Sequence, residues 1–372
     1  MSQSFQLHVA QLFDGLRLHA NVSVSVLDGR IHAITPCTSP EVTEGLLAPG
    51  YVDLQVNGGG DILFNEQPSV AAIEQMVRAH QRFGTTSLLP TVITDDIAVM
   101  EQAADAVAQA LISQDSGVVG IHFEGPHIAK AKRGAHNHNH IRAISAAEWA
   151  LFARTDLGCK LLTIAPEAVS PAEIERLVVL GVTVSLGHSN CSYSQAQQAI
   201  AAGASGVTHL FNAMSPLQGR EPGLVGAALL SKTACAGIIN DGHHVDFASV
   251  RLAYQALGAE RLCLVTDAMP PVGGQQQQFT LVGNPVILNG DRLLGQGGEL
   301  AGSVLTMERA VQLAVQQVGI EVANALQMAT TTPARWLGLQ GIGRIAVGQR
   351  ADMVLLNKQL QLQRCWRAGR LL

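Results

Sequence analysis

Eight near-continuous apolar runs punctuate the chain, at residues 50–57, 86–91, 118–124, 160–165, 182–188, 206–210, 235–240 and 262–267. Most are separated by stretches with helical spacing, clearest over 70–83 and 97–112. Continuous apolar character, rather than strict alternation, belongs to strands buried on both faces. Strands alternating with helices predict an α/β architecture with a parallel sheet. Eight such units predict a closed (β/α)8 barrel. A doubly wound open sheet is the competitor, but no GxGxxG or Walker loop follows the first run.

The two ends read differently. Residues 22–26 and 30–34 alternate as short β patterns, and the segment around 351–356 does the same. Neither end can bury a core alone. They are therefore expected to pair into one small β-sandwich of residues 1–48 and 342–372, beside a barrel domain of 49–341. Residues 273–299 read as a hairpin insertion after the eighth strand.

Composition narrows the class. Of 372 residues, 47% are hydrophobic and only 14% charged, with a net charge of −5. This excludes a disordered chain and a polybasic nucleic-acid binder. No apolar stretch is long enough to span a membrane, and the start of the chain lacks the pattern of a signal peptide. The six cysteines form no CxxC pair. Buried free thiols and a cytoplasmic location are expected.

In a barrel, chemistry sits at the C-terminal ends of the strands. Those ends carry Gln55 and Asn57, Glu124, His188, His209 and Asp267. Neutral imidazoles with a carboxylate are a ligand set for a divalent transition metal. Zinc or iron held by Glu124, His188 and His209 would activate water for hydrolysis. Asp267 is suited to take the proton of that water and return it to a leaving amine.

At these residues the sequence resembles the amidohydrolase superfamily and, within it, the N-acetylglucosamine-6-phosphate deacetylase family. The resemblance runs over essentially the whole chain. It rests on His122-Phe123-Glu124-Gly125-Pro126, Gly187-His188-Ser189, Thr208-His209-Leu210-Phe211-Asn212-Ala213-Met214, Asp241-Gly242-His243-His244-Val245, Val265-Thr266-Asp267-Ala268-Met269 and Leu300-Ala301-Gly302-Ser303. Many superfamily members have His-x-His at the end of strand one, where this chain has Gln55-Val56-Asn57. The similarity therefore implies one metal per subunit: zinc first, with iron, cobalt or manganese as alternatives.

The resemblance implies further roles. His136, with Ala135 beside it, would contact substrate and polarise the acetyl carbonyl. Arg220 would bind phosphate, with Asn212 and the backbone of Ala213. Asp241, Gly242, His243 and His244 would line the sugar site, and Leu300, Ala301 and Gly302 would close over it. Part of the phosphate site would come from a neighbouring subunit, which implies a homodimer. The reaction implied is hydrolysis of the N-acetyl group of N-acetyl-D-glucosamine 6-phosphate, with no nucleic-acid or membrane partner. Rivals are the galacto epimer, another amide hydrolase or deaminase of the superfamily, and a non-catalytic scaffold.

Three features invite over-reading. His136, His138 and His140 would share one face of a strand, but the preceding Lys130, Lys132, Arg133 and Gly134 predict a loop. His138 and His140 are then solvated, and the basic cluster reads as a charged solvated loop, with attraction of an anionic substrate as its alternative. Gly58-Gly59-Gly60 lacks the helix start and the Lys-Ser/Thr of a phosphate loop, and predicts close backbone approach instead.

Overall fold

The computed structural model describes residues 4–37, 39, 42–113 and 115–372. Met1 to Gln3, at the start of the first β segment, lie outside the described residues. The eight predicted strands are present. They are β1 (Tyr51–Val56), β2 (Thr85–Ile93), β3 (Gly120–Glu124), β4 (Cys159–Ile164), β5 (Val182–Leu186), β6 (Gly206–Val207), β7 (Cys235–Ile238) and β8 (Leu262–Leu264). They pair in sequence order as one eight-stranded parallel sheet. The last gap is closed just beyond β8, where Val56 bridges Ala268 and the Asp267 amide donates to Gln55 O at 3.0 Å. Closure thus draws the end of β1 against the residues that follow β8.

Helices at Val70–Gln81 and Ile97–Leu111 start where short polar side chains cap them. The Ser69 hydroxyl accepts from the Ala72 amide, and the Asp96 carboxylate from the Ala98 amide. Such caps satisfy amides that the first helical turn leaves unpaired. Among the described residues, no helix is long and apolar enough to cross a membrane.

The chain ends build one seven-stranded sheet. It combines Ser4–Phe13, Leu18–Leu27, Arg30–Pro36 and Thr43–Pro49 with Met353–Leu356, Leu362–Arg367 and Arg370–Leu371. The two ends join where Thr43–Pro49 pairs antiparallel with Met353–Leu356. Period-two alternation buries both faces. Met353 and Leu355 pack with Val9, Leu12 and Val24 in a core of their own, whereas Val354 and Leu356 pack into the barrel core.

The insertion is larger than the hairpin predicted. Gln278–Leu281, Asn284–Asn289, Arg292–Leu294 and Leu300–Ser303 form a four-stranded antiparallel sheet with its own apolar cluster. The fourth strand is short and rich in small residues, so its sequence carries little strand signal. Gly58 and Gly60 run close to the chain after β8, their amides donating to Ala268 O at 2.9 Å and Val272 O at 2.7 Å. A Cβ on Gly58 would meet Ile62 O at 2.3 Å, which is the close approach expected of this glycine run.

At the opposite end of the barrel, the start of β4 carries a buried lysine. Lys160 Nζ donates to the carbonyls of Phe152, Arg154 and Leu180 at 2.6, 2.8 and 2.9 Å. Lys160→Met keeps the length of the chain but strands these acceptors. It is expected to cost about 3 kcal/mol, since each buried orphan costs roughly 1–3 kcal/mol. Thermal denaturation should show Tm lower by a few degrees. An unchanged Tm would show that water replaces the ammonium without loss.

Candidate active site

Strand ends bring the predicted residues to one mouth of the barrel. Glu124 is the last residue of β3, and His188, His209 and Asp267 follow β5, β6 and β8 by two or three positions. The last three have positive φ, at 47°, 31° and 53°. Non-glycine residues pay of order 1–3 kcal/mol for such backbone, which persists where the surroundings over-determine it. Here it turns each side chain off the end of its strand and into the opening.

Glu124 Oε1, His188 Nε2 and His209 Nε2 stand 3.0 Å from one another. His188 Nδ1 lies 2.8 Å from Lys132 O. A carbonyl can only accept, so Nδ1 carries the hydrogen and the neutral ring turns its Nε2 lone pair to the centre of the group. All three residues are buried. Lone pairs gathered this closely without a proton or cation between them repel. Ligands held about 2.0–2.2 Å from one ion are themselves about 3 Å apart. The three residues therefore fit a divalent cation.

Asp267 faces the same space and is gripped from the far end of the barrel sheet. Gln55 Nε2 and Asn57 Nδ2 both donate to its Oδ1, at 3.0 and 2.6 Å. Among the described residues its Oδ2 receives no comparable bond, so one carboxylate oxygen stays available to the cavity. Burial and then the charge of Glu124 raise the Asp267 carboxyl to about 6. The amides that stand where other sequences carry His-x-His thus orient a carboxylate, a role their residue types alone did not reveal. Beneath them Asp53, raised to about 7 by burial, accepts from the Thr266 hydroxyl at 2.6 Å.

His136 sits on the loop after β3, its Nδ1 2.8 Å from Thr94 Oγ1 and its Nε2 3.9 Å from Glu124 Oε1. Burial and the neighbouring His188 lower it to about 3, so the ring is neutral. His138 is exposed and His140 half-buried in the same loop, as expected of a loop rather than a strand. Asp241 organises the next wall. It accepts from the amides of His243 and His244, both at 2.8 Å, and its Oδ2 lies 2.6 Å from His244 Nδ1.

A cavity of about 350 Å³ joins these groups. Ala135, His136, Asn212, Ala213, His244, Leu300 and Gly302 line it, together with Glu124, His188, His209 and Asp267. Five predicted binding residues do not. Asp241, Gly242 and His243 line a separate pocket behind their loop, where His243 Nε2 reaches Asp291 Oδ1 at 2.9 Å, and Ala301 is buried in the insertion sheet. Arg220 is also outside the cavity, exposed on the loop before residue 223. The sequence reading missed Thr94, which holds His136, and Lys132, a cavity-lining residue whose carbonyl orients His188. Lys132 was visible only as one of a basic cluster, and Thr94 had no signal.

Comparison with known proteins gives a consistent picture. A family model described as "Amidohydrolase family" matches residues 46–371. N-acetylgalactosamine-6-phosphate deacetylase of Shewanella sp. (strain ANA-3) is 47% identical over 364 residues, covering 95% of this chain and 92% of that one. N-acetylglucosamine-6-phosphate deacetylase of Haemophilus influenzae is 34% identical over 320 residues, covering 85% and 84%. The crystal structure of N-acetylglucosamine-6-phosphate deacetylase from Pasteurella multocida superposes with a TM-score of 0.95 at 34% identity, covering 100% of both chains. With the family match running from the end-sheet strand Thr43–Pro49 through the whole barrel to the last strand, the chain belongs to the amidohydrolase family.

Proposed function

We propose that this chain hydrolyses the N-acetyl group of an N-acetylhexosamine 6-phosphate, N-acetyl-D-glucosamine 6-phosphate in the first reading, to the free amine and acetate. One observation carries the proposal: Asp267 is fixed by two amides so that a single carboxylate oxygen faces the cavity holding Glu124, His188 and His209. Glu124, His188 and His209 would hold the divalent metal, zinc first. When bound, such an ion supplies Lewis-acid polarisation and a water of lowered pKa.

Asp267 Oδ2 takes a proton as water adds to the acetyl carbonyl carbon. The same oxygen returns the proton to the nitrogen as the C–N bond breaks, so the amine leaves neutral together with acetic acid, which then gives up its own proton to water as acetate. His136 donates to the acyl oxygen as negative charge develops there, a contribution of about 100- to 1000-fold when such a donor is well placed. Neutrality suits His136 to this role, because a neutral imidazole presents one N–H without adding charge beside a cation. Leu300 and Gly302 cover the sugar and exclude water.

Asn212 and the backbone of Ala213, in the left-handed conformation at φ 49°, would cradle the phosphate with Arg220. Arg220 is exposed and outside its own chain's cavity. This supports the reading that it serves the site of the partner in a homodimer. The sheet of 1–48 with 342–372 and the barrel of 49–341 are taken as two domains. Six free cysteines support a cytoplasmic location.

A second reading, the galacto epimer, is favoured by the 47% identical relative that bears that name. Acetate release from the two epimeric N-acetylhexosamine 6-phosphates and from unphosphorylated N-acetylglucosamine decides between them. Preference for the gluco substrate over both others supports the first reading, and preference for the galacto epimer supports the second with the same chemistry. No release from any of them, with metal bound, overturns the proposal. Arg220→Ala is expected to lower kcat/KM for the phosphorylated substrate about 100-fold, as loss of a charge-assisted contact of about 3 kcal/mol does. Unchanged kcat/KM would remove Arg220 from the phosphate site.

A further inference from the structure

Two buried histidines with touching rings face this cavity, His136 and His188, their centroids 4.3 Å apart. Their Nδ1 atoms meet opposite backbone groups. His188 Nδ1 faces the Lys132 carbonyl at 2.8 Å. His136 Nδ1 faces the Thr94 amide at 3.4 Å and the Thr94 hydroxyl at 2.8 Å. An amide N–H can only donate, so a hydrogen on His136 Nδ1 would point at another hydrogen. The neutral ring must then accept at Nδ1 and carry its one hydrogen on Nε2, toward the cavity and Glu124 Oε1. Thr94 is itself fixed. It is buried, and a Cβ on Gly125 would lie 2.2 Å from its hydroxyl oxygen; the hydroxyl has one hydrogen, and with the amide already requiring Nδ1 to accept, that hydrogen goes to Nδ1 at 2.8 Å rather than to Glu124 O at 3.3 Å.

We infer that Thr94 is the positioning residue that locks His136 as an Nε2–H donor, keeping it out of the ligand set and available to the acyl oxygen. This separates two like side chains by function: the one facing a carbonyl presents a lone pair, and the one facing an amide presents a hydrogen. The kinetic part rests on the deacetylase reading above, but the tautomer does not.

The test has two arms. In the zinc-loaded protein labelled with 15N-histidine, two-bond 1H–15N correlations report which nitrogen of each ring is protonated. His136→Gln assigns the signal by its disappearance. Nε2–H with an unprotonated Nδ1 is the expected result, and the reverse tautomer overturns the inference even if the enzyme turns over well. If the protein hydrolyses none of the substrates, the spectrum still reports the tautomer, so the two readings fail separately.

The second arm compares Thr94→Val, which removes the hydroxyl, with Thr94→Ser, which keeps it. For Thr94→Val we expect kcat to fall about 10- to 100-fold, the usual cost of losing the group that orients a site histidine, with KM and bound metal nearly unchanged. Thr94→Ser should restore most of kcat. Wild-type kcat in Thr94→Val overturns the inference, and so does equal loss in both variants. If Thr94→Val does not fold, Thr94→Ser and the wild-type spectrum still decide.

Discussion

Asp267→Asn is expected to abolish nearly all turnover while leaving metal content and Tm close to wild type. The substitution keeps shape and one acceptor oxygen, so Gln55 and Asn57 can still grip the side chain through Oδ1. It removes the oxygen able to take a proton. General acid–base groups contribute about 100- to 10,000-fold, so a fall of about 1000-fold in kcat, roughly 4 kcal/mol, is the expected size. Glu124, His188 and His209 are untouched, so metal analysis should still give about one ion per chain. Substantial activity in the variant would remove Asp267 from the reaction and move proton transfer to another group. A loss of metal together with activity would assign Asp267 to the ligand set instead.

The second large effect concerns the three convergent donors. Glu124→Gln replaces an anionic oxygen by an amide, a poor ligand beside two imidazoles. Metal content after dialysis is expected to fall from about one ion per chain toward zero. Turnover should fall by on the order of 1000-fold or more, because the Lewis-acid term is worth several kcal/mol. Chelator treatment of the wild type should reproduce the loss, and a divalent transition metal should restore activity to the wild type but not to Glu124→Gln. A chelated wild-type protein that keeps full activity would end the metal reading. Restoration of Glu124→Gln at ordinary metal concentrations would place the ligand elsewhere.

Much of this arrangement was legible before any coordinates. The barrel strands are buried on both faces, so their apolar runs stand out, and a polar residue at the end of such a run is conspicuous. That is how Glu124, His188, His209 and Asp267 could be read as one site although Glu124 is 64 and 85 residues from the two histidines. Other parts were only half legible. Gln55 and Asn57 were visible at a strand end, but their partner lies more than 200 residues away and becomes a neighbour only when the barrel closes. Leu300–Ser303 was visible as a motif but not as the edge of a four-stranded sheet, because its small residues carry no period. Arg220 could be picked out by type, yet nothing in its surroundings told that it lies outside its own chain's cavity.

The sequence by itself determined the repeating unit, the strand-end residue types and hence the class of chemistry. These follow from local periodicity and from which side chains can bind a cation or carry a proton. Only the tertiary structure decided how each histidine is held. His188 and His136 are the same residue in the same cavity, and they differ in whether a carbonyl or an amide faces Nδ1. That choice is made by the Lys132 carbonyl and by the amide and hydroxyl of Thr94, which reach the two rings only in the folded barrel.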